Sequence, residues 1–427
     1  MPNVVVIGGG ASGLMAAGTA AYYGANVTLL EKNSRTGRKI LVTGKGRCNI
    51  TNNCDKDTFI ANVPTNPRFL YSAINNFDCQ DTIDFFNDLG LETKTERGNR
   101  VFPVSDKAMD VADTLYTFAK HNGVKIIEST AKVILTSEGK VSGVLDTKGN
   151  KYDADCVIIA TGGMSYPGTG STGDGYKLAK TVGHTITEIE PSLVGLISSD
   201  EFCKELQGLS LKNVNLMAYE NGKEIFSEQG EMLFTHQGVS GPLVLSASSH
   251  MRNFDKKSYK ISIDLKPALS EEKLDLRLQK DFSEHKNNQI NNSLGKLLPK
   301  KIIPVVLKMW GIDPTKKCNS ITKEERQELN KILKNFTVKI KSLGSIKEAI
   351  ITSGGVSTKE ISPKTMESKI LSGLFFCGEV IDVDAYTGGF NLQIAFSTGR
   401  LAGYYSAIKE GWNYVYCYCY WWTCRCR

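Results

Sequence analysis

The residues best suited to chemistry near the start of the chain are three glycines, Gly8, Gly10 and Gly13, in the spacing G-x-G-x-x-G. They follow the apolar run VVVI and precede LMAAGTAAYYG, a run rich in small, helix-forming residues. Between a strand and a helix, such glycines allow a tight turn, close approach of the backbone to a pyrophosphate, and close packing of the helix on the strand. The N–H groups and positive dipole end of that helix would then bind the phosphates.

An acidic residue follows at the distance that a dinucleotide fold requires. The second predicted strand, ANVTLLEK, ends near Glu31, eighteen residues beyond Gly13. A carboxylate there can accept hydrogen bonds from ribose hydroxyls and would repel a 2′-phosphate. The pattern therefore predicts an adenosine dinucleotide without that phosphate, and it leaves NAD and FAD open.

A second glycine cluster, Gly168, Gly170 and Gly173, has the same spacing. It follows GGMSYP, which is not a strand, and no strand ending in an acid follows it at the required distance. We interpret this cluster as a glycine-rich loop over the first cofactor, and the alternative is a separate nicotinamide dinucleotide site.

Two later segments favour FAD over NAD. The apolar strand CVIIATGG ends in glycines that would return the chain beside the cofactor. Near the other end of the chain, GLFFCGEVIDVDAYTGGFNLQIAF contains a strand and then a helix that begins near Asn391. The positive end of that helix could face the flavin ring. A dinucleotide domain closed by the far end of the chain is typical of flavoproteins with the two-dinucleotide fold.

The segment KILVTGKGRCNIT holds three cations and two glycines beside one cysteine: Lys39, Lys45, Arg47, Gly44, Gly46 and Cys48. The cations would neutralise the negative charge of a diphosphate, and the glycines would allow the backbone to approach the cofactor closely. The nearest cysteine to Cys48 is Cys54, six residues on, which is not the spacing of a flavin-linked disulfide. We therefore predict that Cys48 forms part of the wall of a flavin site and is not a catalytic thiol.

The remaining chain predicts an α/β protein whose Rossmann-like FAD-binding domain carries two insertions. The FAD-binding domain is expected over 1–190 and 345–411, helical segments over 66–93 and 106–122 included. A β-rich domain is expected over 191–268 and 336–344, and a small helical domain over 269–335, while 338–376 contains strand-like runs. The cysteine- and aromatic-rich tail, 412–427, is assigned no function.

The chain resembles a known group, the bacterial flavoproteins called the YhiN-like or BaiN-like family, which includes aminoacetone oxidase. The resemblance rests on VVVIGGGASGLMAA, GRKILVTGKGRCNITN, ATGGMSYPGTGSTGDGY, GEMLFTHQGVSGPLVLSAS, TSGGVSTKEISPKTMESK and LFFCGEVIDVDAYTGGFNLQIAFSTGRLAG. These motifs run from residue 4 to about 403. The resemblance implies a bound FAD and three parts: an FAD domain, a β-barrel-like domain and a small helical domain.

The resemblance also implies which residues bind FAD. It places the diphosphate at Gly8, Gly10, Ala11, Ser12 and Gly13, the adenosine ribose at Glu31, and the adenosine and diphosphate along Lys32, Arg38 and Lys39. It places the ribityl chain and flavin ring near Gly46, Arg47, Cys48 and Asn49, the adenine at the backbone of Val133, and the cofactor wall at Thr161, Gly162 and Gly163. Gly378, Glu379 and Asp382 would meet the diphosphate and ribityl chain, with Gly389, Asn391, Leu392 and Gln393 near the flavin ring.

No side chain is assigned to catalysis. Tyr166 and Tyr386 stand beside glycine-rich loops and could donate to a substrate carbonyl, with ordinary packing as the alternative. His236, in FTHQGVSGP, could transfer a proton, and a structural histidine is the alternative; His184 is a further histidine of interest. No metal site is expected, because no Cys/His cluster has zinc spacing.

The predicted activity is that of an FAD-dependent oxidoreductase. The preferred reaction is NAD(P)H-dependent reduction of the C=C bond of a small-molecule or steroid-like enone, by hydride transfer through flavin N5. One alternative is an amine oxidase of the aminoacetone type that produces hydrogen peroxide. Another, from a different class, is a flavoprotein that binds or modifies RNA.

Bulk composition is that of a globular protein, with 427 residues, 41% hydrophobic and 23% charged. The net charge of +7 is interspersed, so nucleic acid is not the expected partner, and we interpret the lysine-rich region 255–340 as a solvated helical face. No apolar run reaches the roughly 18 residues of a membrane span, and no export signal is visible. The scattered cysteines favour a reduced, cytoplasmic protein. The expected partner is a small-molecule substrate.

Overall fold

The computed structural model describes residues 1–408. These residues form two compact units, one made of 1–189 and 352–408, the other of 190–351. The predicted tail at 412–427 lies outside the described residues, and the division of the second unit into a β-rich and a helical domain stays a prediction.

The elements are numbered in chain order. The first part contains β1 (Asn3–Ile7), α1 (Ala11–Tyr22), β2 (Asn26–Glu31), α2 (Arg38–Val42), β3 (Thr51–Asn52), α3 (Lys56–Ala61), α4 (Tyr71–Asn76), α5 (Cys79–Asp88), β4 (Thr93–Glu96), β5 (Arg100–Pro103), α6 (Ala108–His121), β6 (Lys125–Glu128), β7 (Ala131–Ser137), β8 (Lys140–Asp146), β9 (Lys151–Asp153), β10 (Cys156–Ile159) and α7 (Asp174–Thr181). The middle part contains β11 (Glu190–Ser192), β12 (Leu196–Ser198), α8 (Phe202–Glu205), β13 (Ser210–Glu220), β14 (Lys223–Phe234), β15 (Gly238–Ser240), α9 (Pro242–Ser248), β16 (Tyr259–Asp264), α10 (Glu271–Glu284), α11 (Ile290–Ser293), α12 (Ile303–Trp310), α13 (Lys323–Lys334) and β17 (Phe336–Leu343). The last part contains β18 (Ile351–Ser353), β19 (Leu374–Phe376) and α14 (Phe390–Ala407).

A five-stranded parallel sheet organises the first unit, in the order β19-β10-β1-β2-β6. Its central strand, β1, is an uninterrupted apolar run from Val4 to Ile7, and all four residues are buried, as is typical of a parallel sheet that is covered on both faces. The prediction of a Rossmann-type fold is therefore confirmed, and a strand from the far end of the chain forms one edge of the sheet.

Small residues let the two ends of the chain pack closely through α1 and α14. A Cβ atom added at Gly399 would lie 2.5 Å from the Ser12 carbonyl oxygen, and one at Gly403 would lie 2.3 Å from that of Ala16. Glycines four residues apart on α14 therefore face one side of α1 and bring the backbones together. This contact holds the N-terminus of α1 in place, where the glycine fingerprint lies.

The second unit contains a closed six-stranded barrel in the order β12-β15-β14-β13-β16-β17, which confirms the predicted barrel. Its apolar core includes Phe234 and Phe336, both fully buried, and continues into α10 and α13 through Leu278 and Leu333. A capping box formed by Thr322 and Glu325 begins α13, as expected for a helix that starts T-x-x-E.

In two regions the helices or strands of the structure are shorter and more interrupted than the sequence pattern predicts. The helical prediction over 66–93 becomes a 3-10 turn at Pro67–Leu70 followed by α4 and α5, because the Asp78 side chain caps a new helix within the segment. The strand-like region 338–376 is mostly irregular between β17, β18 and β19. Among residues 1–408, every helix is too short or too polar to cross a bilayer.

Candidate functional site: a dinucleotide cradle

The glycine fingerprint forms the turn between β1 and α1. Gly8 has a φ of 103°, which favours glycine, and a Cβ atom there would lie 2.6 Å from the Ala160 carbonyl oxygen. A Cβ atom at Gly13 would lie only 1.9 Å from the Gly8 carbonyl oxygen. These two glycines therefore permit the tight turn and the helix–strand contact that their spacing predicts.

The N-terminus of α1 has the properties of an anion-binding site. The first intrahelical bond is from Leu14 N–H to the Gly10 carbonyl, so the N–H groups of Ala11, Ser12 and Gly13 precede the helical ladder. No side chain caps this end, and the first turn has no acidic residue. A phosphate would accept hydrogen bonds from these N–H groups and would lie at the positive end of the helix dipole.

Two observations in the first unit fit a bound cofactor. A Cβ atom at Gly10 would have no atom within 4 Å, so open space lies over the residue predicted to approach the pyrophosphate. The Asn49 side-chain oxygen is buried and has no hydrogen-bond partner within the described part of the chain. Since a buried polar atom without a partner is costly, a bound group that donates to it would stabilise this loop.

Glu31 lies at the end of β2 and is only 8% exposed. Its carboxylate accepts from Gly9 N–H at 2.7 Å and, through its other oxygen, from the backbone and side-chain nitrogens of Asn33. The carboxylate thus holds the fingerprint loop as well as standing where a ribose is predicted. Arg38 donates to the Asn33 side-chain oxygen and so joins the same group.

The second glycine cluster lies in a loop that contacts the end of β2. Lys32 donates to Thr172 at 2.5 Å and pairs with Asp174 at 2.6 Å, while the Asn33 side chain donates to the Thr169 carbonyl. The segment before this loop is not a strand, and Gly173 is the N-cap residue that precedes α7. This geometry supports the interpretation of a loop beside the first glycine fingerprint.

Lys39 and Glu379 come together from opposite ends of the chain. The Lys39 ammonium lies 2.6 Å from the Glu379 carboxylate and 2.6 Å from the Ser165 hydroxyl. Glu379 also accepts from Ser165 and from Thr352 N–H, and a Cβ atom at Gly163 would collide with Thr352. Ser165 and Thr352 were not predicted; the motifs ATGGMSYPG and TSGGV that contain them were the available signal.

Arg47 occupies an acidic cluster. Its guanidinium donates to Glu96 and Asp106, each at 2.5 Å, and stacks over Phe102 at 4.2 Å. The hydrogen bonds from Arg47 lower the pKa of the Glu96 carboxyl. These two carboxylates already neutralise the positive charge of Arg47. Its contact with FAD stays a prediction, and such a contact would require the side chains of this cluster to rearrange.

Cys48 is fully buried in a left-handed backbone conformation, with a φ of 61°. Burial raises the pKa of its thiol to about 12, against a weaker opposing effect from a hydrogen bond with Thr43. Burial therefore disfavours the thiolate, which is the nucleophilic form of a cysteine. This environment favours the predicted structural role.

We expect a Cys48→Ser variant to keep its flavin and most of its turnover, because the hydroxyl can still bond to Thr43. Unlabelled Cys48 in the native protein, measured by mass spectrometry after iodoacetamide treatment at neutral pH, would agree with the protonated state. A variant that stayed yellow and lost all activity would restore the catalytic-thiol interpretation.

Cys54 has a different neighbour from the one closest in sequence. Its thiol shares a hydrogen bond with Cys79, at the start of α5, and this bond lowers the pKa of Cys79 and raises that of Cys54. Cys48, Cys54 and Cys79 are all free thiols. The fold therefore pairs Cys54 with a residue that lies 25 positions away in the sequence.

The N-terminus of α14 is organised by two side-chain amides, of Asn391 and Gln393. The Asn391 side chain accepts from Ala385 N–H and donates to the Ala385 carbonyl, while a Cβ atom at Gly389 would lie 2.3 Å from the Thr51 carbonyl oxygen. Gln393 is fully buried and bonds to Thr51, to Ser397 and to two backbone carbonyls. Its side chain joins α14 to neighbouring segments, so any contact with a flavin ring would come from backbone.

The other predicted cofactor residues are distributed around the same unit. Thr161 and Gly162 follow β10, and Gly46 ends a 3-10 turn with open space where its Cβ would be. Val133 is 38% exposed on β7, Asp382 follows the 3-10 turn that begins at Gly378, and Leu392 is partly buried in α14.

The catalytic candidates separate into different environments. Tyr166 is half-buried with a left-handed φ of 52°, next to Ser165, and Tyr386 N–H donates to the Asn62 carbonyl. His236 is exposed in the turn between β14 and β15 of the second unit. His184 is buried between Glu360 and Ser368, where burial lowers the pKa of its imidazole, so it acts as a structural residue.

Comparisons with known proteins agree with this geometry. The family model HI0933-like protein Rossmann domain matches residues 2–405. The 3-dehydro-bile acid delta(4,6)-reductase of Clostridium scindens is 33% identical over 414 residues, which cover 94% of this chain and 98% of the relative. The ribosomal RNA dihydrouridine synthase of Escherichia coli is 32% identical over 397 residues, which cover 93% of this chain and 96% of the relative.

Among solved structures, a 3-ketosteroid-delta4-(5alpha)-dehydrogenase from Rhodococcus jostii is similar with a TM-score of 0.51 and 15% identity, covering 96% of this chain and 97% of the other. This similarity shows the fold alone. The matched family model and relatives confirm the resemblance to the YhiN-like and BaiN-like flavoproteins.

Proposed function

The chain belongs to the HI0933-like protein Rossmann domain family of FAD-dependent oxidoreductases, and on that premise we propose that it reduces a C=C bond conjugated to a carbonyl. The observation that carries the proposal is the chemistry shared by the two relatives of about one-third identity. One is named for reduction of delta(4,6) bonds in a 3-dehydro bile acid, the other for the formation of dihydrouridine. In both, the reducible alkene is conjugated with a carbonyl, which makes its distal carbon electrophilic.

The residues around the glycine fingerprint, which we call the dinucleotide cradle, would support this reaction by binding FAD. Free N–H groups at the start of α1 would bind the diphosphate, Glu31 the ribose, and Asn49 would accept a hydrogen bond from the group beside it. Bound FAD would supply hydride transfer. The chain's own contribution is to orient the cofactor and to exclude water from it.

NAD(P)H is the proposed electron donor. The second glycine cluster is a loop against the end of β2 and does not follow a strand, so a nicotinamide nucleotide would bind transiently from solution and leave before the enone enters. Tyr166 and Tyr386 remain proposed donors to the substrate carbonyl, where a hydrogen bond would stabilise negative charge as the alkene is reduced.

Anaerobic stopped-flow absorbance tests this function. We expect NADH or NADPH to bleach the flavin band of the purified protein, and a steroid enone such as 4-androstene-3,17-dione or a uridine-containing RNA to restore it. Bleaching by aminoacetone, with no bleaching by either nicotinamide nucleotide, would instead support the amine oxidase. Protein that bleaches with neither donor class would contradict both enzyme proposals.

Reduction of uridine in RNA is a second candidate, favoured by the relative from Escherichia coli. The two substrate classes differ in charge, since RNA carries one negative charge per nucleotide and a steroid enone carries few or none. A surface that binds a polyanion would therefore separate them.

A further inference from the structure

A lysine-rich segment of the second unit carries most of the net charge of the protein. Residues 286–317 contain seven lysines, one aspartate, and no arginine or glutamate, which gives a net charge of +6 against +7 for all 427 residues. The sequence interpretation of a solvated face with alternating charge holds for the helices on either side of this segment and does not hold within it.

Several cations of the flanking helices have an acidic partner on the same helix. In α10, Arg277 pairs with Asp281 at 2.9 Å and Lys280 with Glu284 at 3.9 Å, and in α13, Lys331 lies 3.5 Å from Glu328. In these pairs, side chains of opposite charge that lie three or four residues apart partly neutralise each other on the helix surface.

The segment between them is different. Lys286, Lys296, Lys300, Lys308 and Lys317 are exposed, and none forms an ion pair with another residue of the described chain. The single acid, Asp313, accepts from the backbone and hydroxyl of Thr315 in its own turn. Five unneutralised ammonium groups therefore face solvent without a local counter-charge.

Backbone pairing brings the ends of the segment together. Residues 286–291 run antiparallel to 314–319, with a bridge between Gln289 and Lys317 and a bond from Asn319 N–H to the Lys286 carbonyl. Lys308, on α12, lies six residues before the chain reaches the second of these paired stretches, at Pro314. The pairing thus brings the stretch that holds Lys286 beside the stretch that holds Lys317, and exposed amides lie along the first of them: Asn287, Asn288, Gln289, Asn291 and Asn292.

We propose that the segment 286–317 is a docking surface for double-helical RNA. Lysines would bind the phosphates, and the amides would donate to phosphate and 2′-hydroxyl oxygens, which A-form RNA presents across its wide minor groove. The one aromatic residue in the segment, Trp310, is buried and donates to the Glu325 carbonyl. Unpaired bases would therefore find no aromatic platform, which favours a duplex over a single strand.

A lipid surface fits the segment less well than RNA does. A helix that lies on a membrane presents an apolar face beside its cations. In α12 the apolar residues other than Pro304 and Met309 are buried in the core of the unit. The proposal rests on the proposed reductase only for the chemistry after binding, because binding itself is measured without turnover.

The test uses the full-length flavoprotein and a fluorescein-labelled 20-base-pair RNA duplex of mixed sequence, followed by anisotropy. With up to five phosphate contacts, the logarithm of affinity should fall with the logarithm of salt concentration with a slope of about −4 to −5. A Lys286→Gln/Lys308→Gln/Lys317→Gln variant should bind at least about 30-fold more weakly at low salt, with a slope smaller by about 3.

The control variant is Lys273→Gln/Lys280→Gln/Lys331→Gln, which removes the same charge from exposed positions of α10 and α13 and should bind within about threefold of the parent. The single strand and a DNA duplex of the same sequence should bind more weakly than the RNA duplex. Equal losses in both variants, or capture of phosphatidylserine vesicles without capture of the duplex, would overturn the proposal. Unchanged duplex binding in the first variant would do the same, while failure of the stopped-flow test alone would affect only the reductase.

Discussion

A Gly13→Ala variant is expected to be purified largely without flavin and with a free energy of unfolding lowered by about 3 kcal/mol or more. The added Cβ would lie 1.9 Å from the Gly8 carbonyl oxygen, and this neighbour is backbone, which cannot rotate away as a flexible side chain can. Helix α1 must therefore move from β1, and its N-terminal N–H groups move with it. Flavin content by absorbance and urea unfolding of the purified variant measure the two effects.

Gly10→Ala is the matched control, because it adds the same atom three residues earlier. Gly10 has a φ of −80°, which alanine adopts readily, and its Cβ would meet open space. We expect stability close to that of the parent without cofactor, and FAD affinity lower by about 10- to 100-fold, since a methyl group would stand where the pyrophosphate approaches. If Gly10→Ala bound FAD as tightly as the parent, the cradle would not be the pyrophosphate site.

A Gln393→Leu variant is expected to lose about 3 to 5 kcal/mol of the free energy of unfolding while its flavin spectrum stays that of the parent. Leucine has a similar volume, so the loss comes from hydrogen bonds. The Thr51 hydroxyl and the carbonyls of Phe77 and Asp78 would lose a buried partner. Urea unfolding of the flavin-free protein isolates this cost from cofactor binding.

Gln80→Leu provides the comparison for the same change on a surface. Gln80 is exposed on α5 and bonds only within its helix, to Asp84. Its replacement should change stability by less than about 0.5 kcal/mol. A Gln393→Leu variant that was stable but had a shifted flavin absorbance band would show that the side chain touches the ring, as the family resemblance implied.

The sequence determined the features of this protein that depend on local spacing. Gly8, Gly10 and Gly13 predicted the turn between β1 and α1, because a strand, a tight turn and a helix follow one another within a few residues. Glu31 was placed at the end of β2 for the same reason. Motifs spread over almost the whole chain were sufficient for the family, and with it for FAD chemistry and for the barrel.

Tertiary structure alone decided which partners these residues have. Arg47 meets Glu96 and Asp106, Cys54 meets Cys79, and Lys39 meets a carboxylate 340 residues away. None of these pairings has a sequence signature, because each depends on how separate elements pack and not on the spacing within one of them. Burial is decided in the same way, so the raised pKa of the Cys48 thiol could be inferred only once the side chains that exclude water from it were in place.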